Sequence, residues 1–135
     1  MNFDYTKEVR KRFLHPKFMG EIKNADGLGK VGNANCGDVM HVYLKITKDK
    51  KGVEKIKDIK FKTLGCCAAI ASSDAVCEIA KGKTLKEAGK ITKRQILKKL
   101  GGLPPIKYHC SLLGEEALMV AIKYYEKNKK NKKRA

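Results

Sequence analysis

One stretch limits the fold more than any other: Lys62-Thr63-Leu64-Gly65-Cys66-Cys67-Ala68-Ala69-Ile70-Ala71-Ser72-Ser73. A strand-like run ends at Thr63, Gly65 turns the chain, and a pair of thiols stands where an alanine-rich helix begins. From Cys66 to Lys81 the pattern is helical, with Ala69, Ile70, Ser73, Val76, Cys77 and Ala80 on one side and Gly82 as the stop just past the end. Two more cysteines, in Cys36-Gly37-Asp38 and His109-Cys110-Ser111, also fall at predicted turns between elements. Three thiols on three element ends, far apart in sequence, suggest one shared site.

The remaining elements follow from periodicity and punctuation. Tyr5, Val9 and Phe13, with Arg12 and Leu14, suggest a short amphipathic helix over about residues 3 to 15, and Pro16 ends it by pushing His15 out of the α region. Residues 20 to 38 read as loop with one short strand near Leu28 to Val31. Gly27-Leu28-Gly29-Lys30-Val31-Gly32 matches the dinucleotide pattern by letter only. That fingerprint needs a strand before it and a helix after it, and here Asn24-Ala25-Asp26 precedes and Asn33-Ala34-Asn35 follows. Met40, Val42, Leu44 and Ile46 alternate with His41, Tyr43 and Lys45 as a half-buried strand; Asp49 to Gly52 turns, and Val53 to Lys62 returns with Ile59 and Phe61 facing in. Ile56-Lys57-Asp58-Ile59 breaks the alternation and predicts a bulge or a register change. Thr84 and Thr92 cap two short helices, Gly101 to Pro105 forms a non-helical link, and a last helix runs from about Tyr108 to Glu126. The fold class is therefore α+β: a small antiparallel β-sheet of about three strands packed with several α-helices, the C-terminal one long. Residues 1–126 form a single domain, and 127–135 a basic tail without apolar periodicity, expected to be frayed or disordered.

The 135 residues suffice for one core. No apolar run approaches the roughly 20 residues that span a bilayer, and Met1-Asn2-Phe3-Asp4-Tyr5 lacks the pattern of a signal peptide, so the expectation is a cytoplasmic protein with reduced thiols. The net charge of +17 raises nucleic acid as a partner, but the lysines are scattered along the chain apart from a block at Lys127 to Arg134, with no aromatic-interleaved or zinc-finger motif. Nucleic-acid binding is therefore disfavoured as the main role. Solubility, or docking to acidic proteins, accounts for the charge as well.

The thiols differ in what their positions allow. A helix amino terminus favours the thiolate, the form that binds metal or attacks sulfur, at Cys66 and, beside His109, at Cys110. Cys36 lies among turn residues with Asp38 two positions on, a loop able to bring both to a metal. Cys77 is eleven positions after Cys66, about 16 Å along a helix, and reads as core. Cys67 is rotated about 100° from Cys66, and both packing and a spare or redox-resolving thiol fit it. Thiolates select zinc, copper(I) or iron–sulfur clusters, and spacing alone does not choose between them.

At these residues the chain resembles the IscU / NifU-amino-terminal family of iron–sulfur cluster assembly scaffolds. Three segments carry the match: Asn35-Cys36-Gly37-Asp38-Val39-Met40; Phe61 to Cys66 with Ala69 to Ser73; and Leu103-Pro104-Pro105-Ile106-Lys107 running into His109-Cys110-Ser111. Similarity in order and spacing extends from about residue 4 to 126. The resemblance implies that Cys36, Cys66 and Cys110 hold a nascent, transient 2Fe–2S cluster, with Asp38 or His109 as fourth ligand and Asp38 keeping the cluster transferable. It implies a partner cysteine desulfurase as sulfur donor, acceptor apoproteins, a DnaK-type chaperone at Leu103 to Lys107, a homodimer when cluster-loaded, and no enzymatic turnover by the chain itself. Zinc can fill such a site in the isolated protein. The sequence departs from the family pattern at Cys67 and Ala68, where Gly and Ser are usual, at Ile106, where Val is usual, at Gly114, which is closer to NifU-like members, and in its charge. Two other readings stay open at this point: a thiol-based sulfurtransferase relaying persulfide, and a zinc-stabilised basic module that binds nucleic acid.

Overall fold

The computed structural model describes residues 5–33, 38–64, 66–108 and 110–134; the side chains of Asn33, Asp38, Ile106, Cys110, Ser111 and residues 130–134 lie outside that description. The elements are α1 (Lys7–Leu14), β1 (Gly27–Asn33), β2 (Asp38–Lys48), β3 (Glu54–Thr63), α2 (Cys67–Ala80), α3 (Leu85–Ala88), α4 (Lys93–Leu100), a 3-10 turn at Pro105–Lys107, and α5 (Cys110–Arg134).

The sheet is antiparallel in the order β1-β2-β3. Its register sets Val42 between Gly29 and Phe61, and Leu44 between Gly27 and Ile59. Met40, Val42, Leu44, Ile56, Ile59 and Phe61 are fully buried beneath the helices. His41 and Tyr43 point to the other face, flanked by Lys30 and Lys62 and by Leu28 and Lys60. The predicted bulge is present: Lys45 pairs with Asp58 but Ile46 pairs with Ile56, leaving Lys57 as the extra residue.

The local signals do what their chemistry requires. The Thr92 hydroxyl accepts from the Gln95 N–H at 3.3 Å while the Gln95 side chain accepts from the Thr92 N–H at 2.8 Å, and Thr84 and Glu87 form the same reciprocal cap. Gly101 closes α4 in the left-handed region at φ 76°, which a glycine adopts without steric cost. Thr6 caps α1 through the Val9 N–H and also donates to the Leu100 carbonyl, tying the first helix to the fourth.

Three features differ from the sequence-based expectation. The α1 helix buries Val9 and Arg12 but leaves Phe13 and Leu14 exposed, because Arg12 has carboxylates to meet inside: its guanidinium bonds Asp74 at 2.8 Å and Glu78 at 2.9 Å. The short strand expected near Leu28 to Val31 is longer, β1 running Gly27–Asn33, and the lack of side chains on its glycines is what lets α5 lie against it. A Cβ on Gly29 would sit 1.9 Å from the Ala117 carbonyl oxygen, and one on Gly27 2.6 Å from that of Ala121. Finally, α5 is longer than the expected helix ending at Glu126. It continues to Arg134, as lysine is a good helix former, and Glu54 accepts hydrogen bonds from Tyr125 Oη and Lys129 Nζ.

Candidate functional site

The topology sends several element ends to one end of the molecule. Asn33, the last residue of β1, pairs with Asp38, the first of β2. The close of β3 lies beside them: the Leu64 N–H and the Thr63 hydroxyl both donate to the Val39 carbonyl, at 3.3 and 2.6 Å. α2 runs back along β3, since the Gly82 N–H just past its far end donates to Ile56 near the start of that strand. α5 runs the same way as β2, with Ala117 over Gly29 and Ala121 over Gly27. Both long helices therefore begin where β2 begins and β3 ends.

A joint between the helices fixes that arrangement. The Ser73 hydroxyl donates to Met40 Sδ at 3.3 Å, and a Cβ on Gly114 would lie 3.0 Å from Ser73 Oγ. From this level Cys110 is one turn back along α5, about 6 Å, and Cys66 about two turns back along α2, near 10 Å. Asp38 is two residues back along β2, about 7 Å. The backbone positions of Asp38, Cys66 and Cys110 thus converge on one end. Ser73 and Gly114 were not singled out as supports from sequence. The available signal was a glycine inside a long helical run, which costs roughly 1 kcal/mol against alanine unless packing needs it.

Cys66 is the N-cap of α2, with an extended backbone (φ −75°, ψ 176°), and its carbonyl opens the helix by accepting the Ile70 N–H at 3.0 Å. Its side chain is half-buried, as is that of Cys67. Burial, followed by the charge of neighbouring Cys66, pushes the Cys67 thiol up, and Lys107 pulls it partly back. In the 3-10 turn at Pro105–Lys107, which follows the buried Leu103, the Pro104 carbonyl accepts from the Lys107 N–H at 2.8 Å. Cys77 is core, as its spacing predicts: it is 1 % exposed, and burial pushes its thiol well up.

Of the predicted ligands, Cys66 alone has a described side chain. Cys36 and His109 lie outside the described residues, and Asp38 and Cys110 are placed by backbone only. Among the described residues no three His, Cys, Asp or Glu side chains gather as a metal-ligand group. A groove of about 650 Å³ lies away from the thiols, between α1, α2 and α4, around the Arg12–Asp74–Glu78 network. No helix of the described residues is long and apolar enough to cross a membrane.

Comparison with known proteins agrees with the fold and with the family that the sequence resembles. The iron–sulfur cluster assembly scaffold protein IscU 1 of Archaeoglobus fulgidus is 50% identical over 127 residues, 93% of this chain and 80% of that protein. IscU of Aquifex aeolicus is 43% identical over 125 residues, 93% of this chain and 78% of that one. Among solved structures, a protein assigned as an iron–sulfur cluster assembly scaffold for the SUF system of Fervidobacterium islandicum matches with a TM-score of 0.67 at 26% identity, over 87% of this chain and 96% of that chain. The family model for the NifU-like N-terminal domain covers residues 4–132. The chain belongs to the NifU-like N-terminal domain family, to which its IscU relatives also lead.

Proposed function

We propose that this protein is a scaffold and carrier on which a transient 2Fe–2S cluster is assembled and then passed to acceptor proteins. The observation that carries the reading is Cys66: a half-buried thiol at the first turn of α2, at the end where β2 begins with Asp38 and α5 begins with Cys110. In this reading Cys36, Cys66 and Cys110 hold the cluster as cargo, and Asp38 or His109 completes the set. Sulfur comes from a partner cysteine desulfurase, so the turnover belongs to that enzyme, while iron and electrons arrive separately. Thiolates suit iron in a cluster, and an oxygen or nitrogen fourth ligand suits a carrier that must release it. A cytoplasmic setting, a DnaK-type chaperone at Leu103 to Lys107, and a cluster-loaded homodimer belong to the same reading.

The test is anaerobic reconstitution with iron, cysteine and a cysteine desulfurase, read by visible absorption. The same run includes Cys36→Ala, Cys66→Ala, Cys110→Ala and Asp38→Ala. A 2Fe–2S spectrum that is lost or altered in the three thiol variants and outlasts the wild type in Asp38→Ala supports the scaffold. Persulfide on one cysteine with no cluster under any condition overturns it in favour of a sulfurtransferase.

A further inference from the structure

The lysines look scattered in sequence, but the fold gathers many of them at the end of the molecule opposite Cys66. The β2–β3 hairpin and the last half of α5 meet there, joined by Glu54, which pairs with Lys48 across the sheet and accepts from Tyr125 Oη and, at 2.6 Å, from Lys129 Nζ. Five lysines fall between Lys48 and Lys57, and seven basic residues between Lys123 and Arg134, against Asp49, Glu54 and Glu126. These two segments therefore hold twelve of the 31 basic residues and three of the 14 acidic ones.

Two of those three acids are committed internally. Asp49 accepts the Lys51 and Val53 N–H groups at 2.8 and 2.9 Å and faces Lys55, and Glu54 is engaged by Tyr125 and Lys129. By contrast Lys48, Lys50, Lys51, Lys57, Lys123 and Lys127 are exposed and form no ion pair among the described residues. Positions 123, 127, 130 and 134 follow helical spacing and share one stripe of the α5 cylinder, about 16 Å long.

The shape and chemistry of the pole select its partner. Val53 and Tyr124 are its exposed large apolar residues, at 40% and 46%. A helix lying on a membrane needs a continuous apolar face, and a protein interface needs buried aromatic or aliphatic anchors. A phosphate backbone needs only cations spread along its length, whose binding releases condensed counterions. We propose that this pole binds the phosphate backbone of nucleic acid without reading its sequence, as a second surface separate from the thiol end.

The test is fluorescence anisotropy with a short labelled RNA duplex, titrated at several salt concentrations. With about four phosphates neutralised, affinity should fall roughly 100-fold between 50 and 200 mM salt, and a duplex of unrelated sequence should bind equally. The fourfold variant Lys48→Glu, Lys51→Glu, Lys123→Glu, Lys127→Glu should lose at least about tenfold more affinity than a charge-matched variant with Lys7, Lys11, Lys17 and Lys98 changed to Glu. Changing each set to Gln, which adds no repulsion, should keep the same order. Cluster reconstitution should be unchanged in the pole variant, so failure of this surface and failure of the scaffold reading are distinguishable. The proposal is overturned by absence of binding at 50 mM salt, by a shallow salt dependence, or by equal losses in the two fourfold variants. Tighter binding to phosphatidylserine vesicles than to RNA also overturns it and assigns the pole to a membrane surface.

Discussion

The helices α2 and α5 start at the same end of the molecule and run the same way, yet they are held by opposite means. α2 is buried around most of its circumference, with Ala68, Ala71, Ser72, Asp74, Ala75 and Cys77 all enclosed. Small side chains let the sheet, α1, α4 and α5 close on it together, and the one carboxylate drawn inside, Asp74, is met by Arg12 and by the Phe18 N–H at 3.0 Å. α5 buries a single stripe of Gly114, Ala117, Leu118, Ala121 and Ile122. Its seat depends on what the strand lacks, the side chains at Gly27 and Gly29. One helix is fixed by enclosure and a neutralised charge, the other by missing Cβ atoms, and together they set the thiol end while leaving the far end of α5 free to carry charge.

Removing the charge partner should hurt most. Arg12→Ala leaves Asp74, whose side chain is 1% exposed, without its cation, and should cost about 3–5 kcal/mol in urea unfolding. A loss below about 1 kcal/mol would mean that enclosure alone holds α2. Next comes the seat of α5. Gly29→Ala meets backbone atoms that cannot rotate away, so a cost of roughly 1–3 kcal/mol is expected, with α5 and its first turn displaced from β1. Lys30→Ala, one residue along, should change little, and a similar loss there would break the comparison.

Smaller effects test the outer ties. Glu54→Gln should cost about 1 kcal/mol, as a part-exposed hydrogen bond and ion pair do. Burial and then the Glu54 carboxylate push the Tyr125 phenol up, so in Glu54→Gln its ultraviolet titration should move to lower pH. Smallest is the pH response of Glu78, held below its usual 4.5 chiefly by the Lys99 bond, with Arg12 adding to it. A carboxyl lowered in the folded state gives stability that is complete above that usual value and lost as pH falls through the folded one. The acid-side decline of Tm should therefore be shallower in Glu78→Gln than in the wild type.

Much of the fold was legible because local chemistry decided it. Thr84, Thr92, Gly82 and the His15-Pro16 pair each act within a few residues of themselves, and the structure puts the element ends where they direct. The bulge was legible in the broken alternation at Lys57. The Arg12–Asp74 pair was not, since its partners lie 62 residues apart and each reads as an ordinary surface charge. Nor was the role of Gly29, because a glycine reports freedom of the backbone but not which distant carbonyl approaches it. At the site, the places of Cys66 and Cys110 at two helix starts were legible in sequence. The support that aligns those two starts, Ser73 with Met40 and Gly114, arises only once the helices pack.

Two thiols on the same helix test the central claim most directly. Cys66 stands half-buried at the start of α2, and Cys77 is sealed in the core three turns on. Iron and acid-labile sulfide per chain, measured after anaerobic reconstitution of Cys66→Ala and Cys77→Ala, should fall to background in the first and match the wild type in the second. Equal loss in both, or full retention in Cys66→Ala, would contradict a cluster assembled at the shared start of the two helices.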